Sequence, residues 1–87
     1  MKYYTYILRS YSTGKFYCGI TNDTKKRLKE HNDGKCRSTK SGIPWEKVYA
    51  VEFVSREQAH ELELKIKGCG PKRYFEESGL GPDLSSG

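Results

Sequence analysis

Long apolar runs are missing from this chain, and so are paired cysteines. No stretch approaches the roughly 20 apolar residues that cross a bilayer, so neither a membrane span nor a membrane partner is expected. The three cysteines, Cys18, Cys36 and Cys69, stand far apart, with no C-x-x-C pair. Neither His31 nor His60 completes a zinc pattern with them. Free thiols in a reducing compartment are the expectation and, with no signal peptide in view, a cytoplasmic location. Apolar residues are also scarce, at 34% of 87 positions, with one tryptophan and one methionine. That composition allows one small domain with a modest core.

Tyrosine and basic residues fill the gap. Seven tyrosines offer apolar area with a polar tip, which suits surfaces that both pack and bind. Lysine and arginine number 16 against 11 acids, a net charge of +5. Such an excess favours polyanionic partners, nucleic acid first.

Tyr3 to Ser10 alternates and is rich in β formers, and Lys15 to Thr21 reads as a second strand. Tyr11-Ser12-Thr13-Gly14 between them predicts a hairpin with a four-residue loop. If Ser10 faces Lys15, then Leu8 faces Tyr17 and Tyr6 faces Gly19. Tyr4, Tyr6, Leu8, Tyr17, Gly19 and Thr21 then share one face, with open space beside the Tyr6 ring. Thr5, Ile7, Arg9, Phe16, Cys18 and Ile20 share the other, the ordinary core face.

Asn22 or Asp23 can cap a helix from about Thr24 to Asp33, ended by Gly34. It places Arg27 and His31 one turn apart on one side, with Leu28 as its apolar anchor. Lys35 to Pro44 is a basic, polar loop, open to reading as a phosphate contact or as a solvated connector. Trp45 to Val54 is a third strand, apolar on both faces and so expected inside the sheet or under a helix. Ser55-Arg56-Glu57-Gln58 opens a helix through about Lys67, with Ala59, Leu62 and Ile66 as its buried stripe. Glu63 falls beside that stripe, so it must be paired or hold a cation. A bridge to Lys67, four residues on, is the simple alternative. Gly68-Cys69-Gly70-Pro71 breaks the chain, and a last short helix follows. The order β-β-α-β-α-α makes a small α+β domain over residues 1–78, with residues 79–87 as a flexible tail.

Tyr6, Tyr17, Arg27, His31 and Glu63 supply what phosphodiester hydrolysis needs. A group must place the attacking water, a cation must offset charge on the phosphate, and a carboxylate must hold a divalent ion. Tyrosine is a weak base at neutral pH, with a free pKa of about 10, and neighbouring positive charge would help it.

At these residues the chain resembles the GIY-YIG nuclease superfamily, and among its members the small stand-alone bacterial proteins of the YhbQ type. The first half of the motif falls on Tyr4-Thr5-Tyr6 and the second on Tyr17-Cys18-Gly19. Arg27 follows ten residues past Tyr17, then His31-Asn32, then an A-x-x-x-E pattern at Ala59 and Glu63. The resemblance implies a three-stranded antiparallel sheet flanked by helices. It also implies DNA cleavage assisted by one divalent ion, Mg2+ or Mn2+. In that scheme Glu63 is the metal ligand and Arg27 steadies the scissile phosphate. Tyr6 or Tyr17 activates or places the water, with His31 assisting. A structure-directed endonuclease of DNA repair or processing is the function so implied.

Departures from the pattern are specific. Tyr4 and Thr5 replace the glycine and isoleucine of the first half, and Cys18 replaces the isoleucine of the second. Ile20 stands where excision-repair members carry a lysine, and no asparagine occurs beyond Asn32. Phosphate binding is thinner for it. A non-catalytic nucleic-acid-binding domain on the same fold is therefore the competing reading. A protein-interaction module, with affinity insensitive to salt, is a third.

Overall fold

The computed structural model describes residues 2–77. Its elements run β1 (Tyr3–Ser10), β2 (Phe16–Thr21), α1 (Thr24–Asn32), a 3-10 helix (Arg37–Gly42), β3 (Trp45–Phe53), α2 (Arg56–Cys69) and α3 (Pro71–Glu77). The three strands form one antiparallel sheet in the order β2-β1-β3, so the fold is the expected α+β arrangement. The tail expected at residues 79–87 lies outside the described residues.

The hairpin register is the expected one, pairing Tyr4 with Thr21, Tyr6 with Gly19 and Leu8 with Tyr17. Its turn closes through Ser10 N–H to Lys15 O at 2.8 Å and Gly14 N–H to Ser10 O at 3.0 Å, with Gly14 at φ 74°. That positive φ is the conformation glycine adopts without steric cost.

The third strand takes the second of its two expected places, under helices rather than inside the sheet. β3 is an edge strand, and β1 is the central one. Four consecutive residues of β1, Thr5 to Leu8, are buried, as befits a strand covered on both faces. The two-sided apolar pattern of β3 has another cause. A bulge opposite Ile7 and Leu8 leaves Val48 unpaired between Tyr49 and Lys47. Val48 and Tyr49 then both pack with Ile7 on the α2 side, while Lys47 reaches Thr24 of α1. The strand is nonetheless packed against helices, since α1 and α2 both contact it.

Each sheet face carries its own core. On one side Ile7, Cys18 and Ile66 are buried, with Phe16, Leu62, Tyr74 and Phe75 packed against them under α2 and α3. Tyr6, Leu8 and Trp45 fill the other, with Tyr17, Leu28 and Ile43 under α1 and the 3-10 helix. The tyrosine face is therefore a second core, and the open space expected beside Tyr6 is absent.

Caps fix the helices where the sequence placed them. Asp23 accepts from Lys26 N–H at 3.0 Å, settling which residue caps α1. Ser55 accepts from Gln58 N–H at 3.2 Å at the start of α2. α2 runs on to Cys69, past the expected end near Lys67, because Gly68 is tolerated within a helix. The break comes at Gly70, at φ 102°, a conformation that other residues rarely adopt.

Candidate active site

The first half-motif delivers Tyr6 from the centre of the sheet. Its ring lies across Gly19 of β2. A Cβ on Gly19 would stand 2.6 Å from the Tyr6 hydroxyl, so the glycine leaves the room this ring occupies. Tyr6 is 2% exposed, and its hydroxyl lies 3.1 Å from His31 Nε2. The Arg27 guanidinium lies near the same hydroxyl and acts on it through its charge. Burial pushes the Tyr6 phenol up to about 12, against the pull of Arg27. At rest it is a neutral hydroxyl.

α1 contributes Arg27 and His31 one turn apart, as its spacing requires. Arg27 also pairs with Glu30 at 3.1 Å, and both partners are partly exposed, so this pair adds little stability. Hydrogen bonding to Tyr6 and then to Glu30 holds the guanidinium pKa above its ordinary value. His31 is fully buried. Burial first, and the Arg27 charge second, hold its pKa below the usual imidazole range, so it is neutral at physiological pH.

Tyr17 stands beside this group. Its ring centroid is 5.1 Å from His31, 6.4 Å from Tyr6 and 6.4 Å from Trp45. Its hydroxyl has no hydrogen-bond partner among the described residues, and no buried side-chain polar atom there lacks one. The Tyr17 hydroxyl accordingly meets solvent. The two tyrosines of the motif thus differ: one is buried and doubly engaged, and the other is half-buried and free.

Glu63 approaches from the opposite face of the sheet. Ala59, fully buried, lets α2 lie close, and Thr5 donates to the Ala59 carbonyl at 2.7 Å. One turn on, the Glu63 side chain is 13% exposed, consistent with its inward placement. Its Oε2 lies 3.0 Å from Lys67 Nζ and its Oε1 3.1 Å from His60 Nδ1, so the expected bridge to Lys67 is present. Lys67 in turn interacts electrostatically with Tyr17 and Cys18, and Cys18 with Glu63. These interactions connect Glu63 to β2, the edge strand that carries Tyr17. Tyr6, Tyr17, Arg27 and His31 form one cluster, and Glu63 makes its ion pairs with His60 and Lys67 rather than with any of the four.

A single carboxylate suits one kind of ion. No group of three or more His, Cys, Asp or Glu side chains is placed to hold a metal among the described residues. Zinc and calcium sites draw on several protein ligands, whereas Mg2+ keeps most of its waters and needs one or two carboxylates plus substrate phosphates. Glu63 fits that second role once Lys67 and His60 give way.

Arg27 also lines a cleft of about 340 Å3 with Tyr3, Asn22, Asp23, Lys26 and Arg56 at the end of β2. The Lys35 to Pro44 stretch keeps Lys35, Arg37 and Lys40 exposed but is anchored in the middle. Its 3-10 helix buries Thr39, whose hydroxyl lies 2.7 Å from His31 Nδ1. The Trp45 indole N–H donates to Thr39 O at 2.7 Å, and Asn32 brackets the Trp45 backbone at 2.6 and 3.0 Å. Thr39 is the residue that sequence reasoning missed. A threonine inside a basic, polar run carries no periodic or motif signal of burial.

Comparison with known proteins agrees with this fold. Residues 2–74 match the GIY-YIG catalytic domain. A UPF0213 protein of Bacillus licheniformis is 39% identical over 79 residues, 86% of this chain and 80% of that protein. The UPF0213 protein YazA of Bacillus subtilis is 39% identical over 66 residues, 71% of this chain and 67% of that one. The solution NMR structure of the UPF0213 protein BH0048 from Bacillus halodurans is similar at a TM-score of 0.58 and 32% identity, covering 94% of this chain and 89% of that one. The chain belongs to the GIY-YIG family.

Proposed function

We propose that the chain is an endonuclease that hydrolyses DNA phosphodiester bonds with the help of one divalent ion, Mg2+ or Mn2+. Its setting is DNA repair or processing in a reducing cytoplasm, where its three free cysteines remain thiols. The observation that carries this reading is the convergence of Tyr6, Arg27 and His31 over Gly19, with the free hydroxyl of Tyr17 beside them.

The two tyrosines divide the work. Tyr17, whose hydroxyl is free, places the attacking water. Tyr6, its hydroxyl engaged by His31 and Arg27, orients the guanidinium toward the scissile phosphate, where a fork of donors matches phosphate oxygens. Lys26 and Arg56, beside Arg27 in its cleft, steady the flanking backbone. Glu63 would hold the ion; when bound there, a divalent cation offsets charge on the phosphate and leaving oxygens.

A non-catalytic nucleic-acid-binding domain is the second reading. It is favoured by the occupation of both Glu63 oxygens and by Ile20 in place of a lysine. Cleavage of single-stranded, flapped, nicked, branched and duplex DNA, each with Mg2+, Mn2+ or EDTA, separates the two. The nuclease cuts at least one substrate with metal, loses cutting in EDTA and in Glu63→Ala, and keeps its binding in that variant. Salt-sensitive binding without cutting under any metal supports the second reading instead.

A further inference from the structure

Hydrogen-bond donors and acceptors around His31 can be ordered from both ends. At one end, the hydroxyl of Tyr6, a residue 2% exposed, lies 3.1 Å from His31 Nε2 and near the Arg27 guanidinium. A guanidinium only donates. Among the described residues the phenol proton therefore has one acceptor there, the Nε2 lone pair. At the other end, the Thr39 hydroxyl lies 2.7 Å from His31 Nδ1 and 3.3 Å from the Cys36 carbonyl. A carbonyl only accepts, so it takes the threonine proton and leaves the threonine oxygen to accept from Nδ1–H. Both ends give the same direction, from Tyr6 O–H to His31, from His31 to Thr39, and from Thr39 to the Cys36 carbonyl.

We propose that Thr39 is a positioning residue of the site: it fixes His31 as the Nδ1–H tautomer and thereby turns the Tyr6 oxygen lone pairs toward Arg27. The hydroxyl is held for this. Thr39 is 1% exposed, its N–H reaches the Cys36 carbonyl at 3.2 Å, and its own carbonyl takes the Trp45 indole N–H. Gly42 lets the Trp45 ring lie against the 3-10 helix, where a Cβ would overlap that ring. With the opposite tautomer, Nε2–H would face the Tyr6 oxygen, and the phenol proton would point at a cation. Arg27 would lose the acceptor that aims it.

The catalytic consequence rests on the nuclease reading, but the tautomer belongs to the folded protein alone. It is read by long-range 1H–15N correlation on histidine-labelled protein near neutral pH without DNA. Wild type should show His31 with Nδ1 protonated and Nε2 bare. Thr39→Val should lose that single state and Thr39→Ser restore it. Cleavage kcat should fall about 10- to 100-fold in Thr39→Val with KM little changed, and recover in Thr39→Ser. A protonated Nε2 in wild type overturns the proposal by itself, even if the valine variant fails to fold. So does a Thr39→Val protein that keeps kcat. The expected tautomer in a wild type that cuts nothing leaves the fixed tautomer standing and refutes the nuclease reading.

Discussion

The two faces of this sheet are built by different means. Under α2 and α3, Ile7, Cys18 and Ile66 make an apolar core with Phe16, Leu62 and Phe75 around it. Under α1 and the 3-10 helix, the core is threaded with hydrogen bonds: Tyr6 to His31, His31 to Thr39, Ser10 to the Gly42 carbonyl, Trp45 to the Thr39 carbonyl. Burying polar groups gains little net stability even when each is satisfied, whereas apolar burial is the main driving term. The α2 face therefore supplies stability, and the α1 face fixes directions. Most groups proposed to act on phosphate sit on or beside the face that fixes directions, with Glu63 and Arg56 coming from α2 on the other side.

That contrast is broken most strongly from the apolar side. Ile66→Ala, at a fully buried position, should lose about 2–5 kcal/mol of folding stability in urea unfolding, while the protein that remains folded keeps its cleavage rate. Gly19→Ala should do the reverse. Its methyl would meet the Tyr6 hydroxyl and ring at 2.6 and 2.8 Å. Displacing that ring should cost about 1–3 kcal/mol and abolish cleavage, the larger effect being on activity.

His31 gives the contrast a pH signature. Its folded pKa lies below the ordinary 6.5, so the folded state takes up its proton later than the unfolded chain does. The stability this contributes is whole above 6.5 and is lost as pH falls through that value toward the folded pKa. Urea midpoints of wild type should fall between about pH 7.5 and 5, and His31→Gln should flatten that part of the curve.

The sequence made the apolar face and the hairpin legible, because alternation and a glycine at the turn fix which residues pair. Tyr6 opposite Gly19 follows from that register alone. The inward placement of Glu63 follows from its position beside the Ala59–Ile66 stripe. The edge position of β3 was not legible, although its packing under helices was. The bulge at Val48 mixes the two faces of that strand, and the continuous burial of β1 is disguised by tyrosine and threonine. Thr39 was not legible either. Its burial depends on Trp45 and Gly42, which act through tertiary contacts that no local pattern records. The family motif picked out the groups proposed to meet substrate and passed over the one that orients them.

The most direct test of this division is Tyr17→Phe. The Tyr17 hydroxyl has no hydrogen-bond partner among the described residues, so removing it should leave the urea midpoint where it is. If that hydroxyl places the water, single-turnover cleavage should fall about 100-fold or more with DNA affinity unchanged. A Tyr17→Phe protein that cuts at the wild-type rate would contradict the account, and would return the water-placing role to the buried Tyr6.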